Sequence, residues 1–137
     1  VRYSYPQVVF QEVPDEITLA LSISGCDLKC PGCHSLETWD SEFGEILTFN
    51  VIDTLLERHR HISCVLFYGG EWDSELIEFI KYIKSKNIKT ALYTGQELDY
   101  FDDEFINQLD YIKTGRYIQS LGPLKTPKTN QRFYKLR

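Results

Sequence analysis

Ile17-Thr18-Leu19-Ala20-Leu21-Ser22-Ile23-Ser24-Gly25-Cys26-Asp27-Leu28-Lys29-Cys30-Pro31-Gly32-Cys33 decides how the chain is read. In its first half Ile17, Leu19, Leu21 and Ile23 are large and apolar, and they alternate with the small Thr18, Ala20, Ser22 and Ser24. A period of two predicts a strand. Its large face suits packing under helices, and its small face leaves room for a bound group. The second half follows without a break, and three of the chain's four cysteines fall in it, spaced C-x3-C-x2-C. The strand thus delivers a loop of three thiols at its C-terminal end, where α/β folds place their chemistry.

Three thiolates from one loop can hold three irons of a [4Fe-4S] cluster, and a fourth iron without a protein ligand stays open to a substrate. Cys26, Cys30 and Cys33 are the expected ligands, with Pro31 and Gly32 tightening the loop. A disulfide framework fits poorly, because a three-cysteine loop leaves an odd thiol. A zinc site of these cysteines plus His34 stays open, although zinc ligands usually come as separated pairs. Cys64 lies inside an apolar run and reads as a core thiol.

Outward from this stretch, residues 8–10 form a short strand candidate and Pro14-Asp15-Glu16 a turn. Residues 34–47 have no periodicity. From Thr48, an N-cap, Ile52, Leu55, Leu56 and His59 follow helical spacing. Cys64-Val65-Leu66-Phe67-Tyr68 is a strand of the buried type, ended by Gly69-Gly70-Glu71. Asp73 or Ser74 caps a helix that turns Leu76, Ile77, Ile80 and Ile83 to the sheet. Thr90-Ala91-Leu92-Tyr93 is a strand broken by Thr94-Gly95, a short helix carries Phe105, Ile106 and Leu109, and Tyr111-Ile112-Lys113 is a last strand before Gly115. Alternating β and α elements at this spacing predict an α/β fold with a mostly parallel sheet and right-handed crossovers.

The chain has 137 residues, 42% of them hydrophobic, enough for one domain with a real core. A complete β/α barrel takes about 250 residues, so a partial, open barrel is expected. Residues 1–137 read as a single domain, with 118–137 as a basic C-terminal tail of little periodicity. The net charge of −5 hides an asymmetry: no acidic residue follows Asp110, and residues 111–137 carry seven basic ones. The remaining eight basic and 20 acidic residues give residues 1–110 a formal −12. The basic end suits a nucleotide, an acidic partner or the chain's own acidic body. No apolar run reaches the 18 or so residues of a membrane span and no leader precedes Val1, so a cytoplasmic protein is expected, with no membrane or nucleic-acid partner. Walker loops, HExxH and Ser/His/Asp constellations are absent from the sequence.

The cysteine spacing at the end of the first long strand resembles the signature of radical S-adenosylmethionine (SAM) enzymes. Cys33-His34-Ser35-Leu36-Glu37-Thr38-Trp39-Asp40 is similar to the segment after the cluster loop in activases of glycyl-radical enzymes. Cys30-Pro31-Gly32-Cys33 is closer still to the anaerobic ribonucleotide reductase activating proteins, because most of the superfamily has an aromatic where Gly32 stands. Gly69-Gly70-Glu71 resembles the GGE motif that receives the methionyl ammonium of SAM, except that Trp72 replaces the usual proline. Tyr93-Thr94-Gly95 is similar to a strand end close to SAM. Asp110-Tyr111-Ile112-Lys113-Thr114-Gly115-Arg116-Tyr117 and Thr129-Asn130-Gln131-Arg132 resemble late segments of the same activating proteins.

This resemblance, from about residue 25 to 132, implies a radical SAM fold of the partial-barrel type, a [4Fe-4S] cluster and SAM as cofactors. It implies Gly69, Gly70, Glu71 and Thr94 as cofactor-binding residues, Lys113 or Arg116 at the SAM carboxylate or ribose, and His34 against cluster or cofactor. It further implies reductive SAM cleavage, a glycyl radical on a partner such as anaerobic ribonucleotide reductase, and an electron donor such as flavodoxin, ferredoxin or a thioredoxin system. Another glycyl-radical partner, a small-molecule radical SAM reaction, or a non-enzymatic zinc or electron-transfer module are the alternatives.

Overall fold

Among the described residues one seven-stranded sheet forms, in the spatial order Glu45–Ile46, Arg2–Val9, Thr18–Ile23, Cys64–Tyr68, Lys89–Tyr93, Tyr111–Thr114 and Arg132–Lys135, and it does not close on itself. The structure is a computed structural model that describes residues 1–10, 12–13, 15–24, 44–115 and 132–136. Cys26, Cys30, Cys33, His34 and Arg116 lie outside the described residues, as does the Thr129-Asn130-Gln131 segment. The strands are β1 (Arg2–Val9), β2 (Thr18–Ile23), β3 (Glu45–Ile46), β4 (Cys64–Tyr68), β5 (Lys89–Tyr93), β6 (Tyr111–Thr114) and β7 (Arg132–Lys135). Between them lie α1 (Phe49–Arg58), α2 (Leu76–Lys84) and α3 (Asp103–Asn107). The four central strands β2, β4, β5 and β6 run parallel, and β1, β3 and β7 pair antiparallel at the edges. The fold is therefore α/β with a mixed, open sheet whose centre is parallel, as the alternation of elements predicts.

The two faces of β2 part as their side chains dictate. Leu19, Leu21 and Ile23 join Val65, Phe67, Leu92 and Ile112 in the main core, beneath Ile52 and Leu55 of α1 and Leu76, Phe79, Ile80 and Ile83 of α2. Each fully buried Leu or Ile contributes about 1.5–3 kcal/mol relative to exposure. On the opposite face Ala20 packs with Cys64, Leu66, Ala91 and Tyr111. Ile17 lies before the strand and is 38% exposed.

Helix starts follow local chemistry. Thr48 Oγ1 accepts from Val51 N at 3.1 Å, and Asp102 Oδ1 accepts from Phe105 N at 2.8 Å, so both helices have side-chain caps. Several expectations need correction. Leu109 lies beyond the short helix, which ends at Asn107. The N-cap of α2 is Glu75, and Asp73, two residues ahead of it, accepts from Glu75 N through Oδ1 without capping the helix. Phe79, not Ile77, completes the buried face of α2, because the stripe that Leu76 starts continues at i+3, i+4 and i+7. The first strand is longer than residues 8–10 and stops before Phe10: a register shift between Ser4 and Gln7, with Tyr5 at φ 51°, breaks its alternation. Two strands fall where no periodicity was read, β3 of two residues and β7 of four, both too short to show one. Among the described residues no helix is long and apolar enough to cross a membrane.

Candidate functional site

The C-terminal ends of the parallel strands fall in register. Ser22 pairs with Tyr68, Tyr68 with Tyr93, Tyr93 with Lys113, and Lys113 with Phe133 across four neighbouring pairs of strands. Residues aligned this way share one face, and this is the face away from the helices. The row below, Ala20, Leu66, Ala91 and Tyr111, is buried, whereas Ser22, Tyr68, Tyr93, Lys113 and Phe133 are each half-buried. The row therefore makes a partly open floor just under the strand tips.

At the tips, β4 runs into Gly69 and Gly70, at φ 82° and 104°. This left-handed region suits glycine. Space is tight as well: a Cβ on Gly69 would lie 2.7 Å from Trp72 Cη2, and one on Gly70 would lie 3.1 Å from Ile23 Cγ2 and 3.2 Å from Leu76 Cδ2. Gly69 N donates to Tyr93 O at 2.8 Å, and Asp73 N donates to Gly70 O at 2.9 Å, so the turn is tied to β5 and closed on itself.

Glu71 and Thr94, 23 residues apart, meet across these tips. Thr94 Oγ1 donates to Glu71 Oε1 at 2.8 Å and accepts from Gln96 N at 3.0 Å. With its acceptor side committed to Gln96, the buried hydroxyl is oriented as a donor toward the carboxylate. Thr94 N donates to Lys113 O at 2.9 Å, which brings the end of β6 to the same place. Lys113 Nζ lies 4.2 Å from the centroid of the Tyr93 ring. Burial holds its ammonium below the ordinary lysine range, against a smaller opposing pull from Glu12. A desolvated cation gains more from an anion brought to it than a hydrated one does. Burial likewise pushes the Tyr68 phenol up to about 12, so it stays protonated at neutral pH.

Of the residues singled out in the sequence, the structure brings Gly69, Gly70, Glu71, Thr94 and Lys113 to one edge of the sheet. The end of β2, which leads into the cysteine loop, reaches that edge beside β4. Cys26, Cys30, Cys33 and His34 lie outside the described residues. Among the described residues no group of His, Cys, Asp or Glu is arranged to hold a metal ion. Cys64 is fully buried, and burial pushes its thiol up to about 12, as a core thiol requires. Sequence reading missed Tyr68 and Phe133 as parts of the floor. Their position in the strand period was available for Tyr68, but Phe133 depends on the pairing of β7.

Residues 17–134 match the family described as 4Fe-4S single cluster domain. A protein of Enterobacteria phage T4, the anaerobic ribonucleoside-triphosphate reductase-activating protein, is 24% identical over 128 residues, covering 85% of this chain and 82% of the relative. No solved structure matches the chain. This relative bears out the resemblance to the anaerobic ribonucleotide reductase activating proteins.

Proposed function

The chain belongs to the 4Fe-4S single cluster domain family, and on that premise we propose that it is a radical SAM activating enzyme whose protein substrate is an anaerobic ribonucleotide reductase. The observation that carries this reading is the clamp at the strand tips, where Thr94 Oγ1 holds Glu71 Oε1 at 2.8 Å beside two glycines at positive φ. Metal storage alone has no use for a fixed carboxylate next to backbone stripped of Cβ atoms. An amino-acid ammonium does: carbonyls can approach it closely, and the carboxylate balances its charge.

Cys26, Cys30 and Cys33 would hold the [4Fe-4S] cluster, since three thiolates are the donor set that leaves one iron open. Gly69, Gly70 and Glu71 would receive the ammonium of SAM, with Thr94 keeping the Glu71 carboxylate in place. Lys113, half-buried over Tyr93, would meet the carboxylate or ribose of the same cofactor, and His34 would pack beside the cluster loop. Once bound, the two groups supply a one-electron reductive cleavage of the sulfonium, whose product takes a hydrogen atom from a backbone glycine of the partner. The electron comes from a donor such as flavodoxin, ferredoxin or a thioredoxin system. An open sheet leaves one side of the site for the partner to cover, which keeps water out during the reaction.

The test is anaerobic reconstitution with iron and sulfide, reduction with dithionite in the presence of SAM, and assay of 5′-deoxyadenosine. Product is expected from the parent chain and from C64A, and is expected to vanish with Ala at Cys26, Cys30 or Cys33. A chain that takes up zinc, assembles no cluster and leaves SAM intact would overturn this reading.

A further inference from the structure

Trp72 stands where the motif that Gly69-Gly70-Glu71 resembles has proline, and the structure gives it specific contacts. Its indole edge lies over the open face of Gly69: Cη2, Cζ3 and Cζ2 are 2.7, 3.1 and 3.8 Å from where a Cβ would stand. The ring is half-buried and packs against the main core, so it is held from behind. The residue is also part of the turn closed by Asp73 N on Gly70 O. A proline at 72 would push Glu71 toward extended backbone, whereas a tryptophan leaves Glu71 free to follow the turn.

We propose that Trp72 is the positioning residue of the strand-end turn: the edge of its ring, packed over the side-chain-free face of Gly69, fixes the backbone that holds the Glu71 carboxylate against Thr94. The ring fills the volume that the missing side chain leaves, and Gly69 and Trp72 act as one unit. Replacing either alone frees or distorts the turn, and replacing the second then costs little more. The inference rests on the ammonium-site reading only for its consequence in SAM binding; the order of the turn does not depend on it.

Two measurements on the reconstituted protein separate these. The first is hydrogen exchange without SAM. W72A and W72L are expected to speed exchange of the Gly69 and Asp73 amides about ten-fold or more, while those of Leu66 and Phe67 in β4 keep their parent rates. W72F, whose shorter ring stops short of the Cη2 position, is expected to fall between the parent and W72L at residues 69 and 73. The second is SAM affinity by equilibrium dialysis. W72L is expected to bind about ten-fold more weakly at equal iron content, and G69A/W72L no more weakly than the worse single variant. Parent rates at residues 69 and 73 in W72L would overturn the proposal, as would losses in the double variant that multiply. A parent chain that fails to bind SAM while W72L still speeds those amides would uphold Trp72's positioning role and remove the SAM reading instead.

Discussion

Thr94 shows how one side chain acquires a role that its own sequence neighbourhood does not reveal. As part of Tyr93-Thr94-Gly95 it reads as the end of a strand. In the fold its hydroxyl accepts from Gln96 N and donates to Glu71 Oε1, so it orients a carboxylate that lies one strand away. We expect T94V to raise the KM for SAM about ten-fold, the worth of one hydrogen bond to a charged group, with T94S restoring the parent value. Both variants are compared by 5′-deoxyadenosine formation at equal cluster content. An unchanged KM in T94V would remove Thr94 from the site. Lys113, which the resemblance places at the SAM carboxylate or ribose, sits half-buried on the Tyr93 ring, where burial makes its amine harder to protonate.

The strands divide their work between their two ends. At the N-terminal ends the buried Glu16 gathers partners from three segments: Ser63 Oγ donates at 2.7 Å, Lys89 Nζ at 3.0 Å and Tyr111 OH at 2.8 Å. Burial opposes charge on Glu16, yet these three bonds together outweigh it and hold the carboxyl below its ordinary 4.5. A carboxylate depressed in the folded state stabilises fully above its unfolded value, and that contribution fades as pH falls through the folded one. E16Q is therefore expected to cost about 2 kcal/mol at pH 7 by urea denaturation. The gap to the parent should narrow as pH drops below 4.5. A gap independent of pH would show that the charge of Glu16 contributes nothing. This network ties together the N-terminal ends of β4, β5 and β6, whose register aligns Tyr68, Tyr93 and Lys113 at the opposite end.

For the molecule as a whole, the unequal charge of its two parts bears on docking. Residues 111–137 carry seven basic residues and no acidic one, so an acidic surface on the partner would be drawn to that end. Cutting the chain after Gly122 would test this poorly. It would remove β7, whose Phe133 ring stacks on Tyr111 at 5.9 Å and meets Tyr93 edge-on at 6.5 Å. Neutralising Lys125 and Lys128 with glutamine leaves the strand in place. We expect K125Q/K128Q to weaken glycyl-radical formation on the partner about ten-fold at low ionic strength, with the deficit shrinking as salt is added. Formation of 5′-deoxyadenosine without the partner should not change. A deficit that ignores salt would rule out electrostatic docking through these lysines.

Features that depend on neighbours a few residues apart are legible in the chain itself. Alternation in residues 17–24 marks the strand that leads to the cysteine loop, helical spacing after Thr48 marks α1, and Gly69-Gly70 marks the end of β4. Those signals are local because they report which face of one element is buried. Which faces meet is set by packing between elements far apart in the chain. The 23-residue reach from Thr94 to Glu71, the 95-residue reach from Tyr111 to Glu16 and the row from Ser22 to Phe133 all follow from strand register. Register is set by long-range packing, which no short window of sequence contains. β7 makes the same point at its smallest scale: four residues carry too little periodicity to announce a strand, and pairing with β6 makes them one.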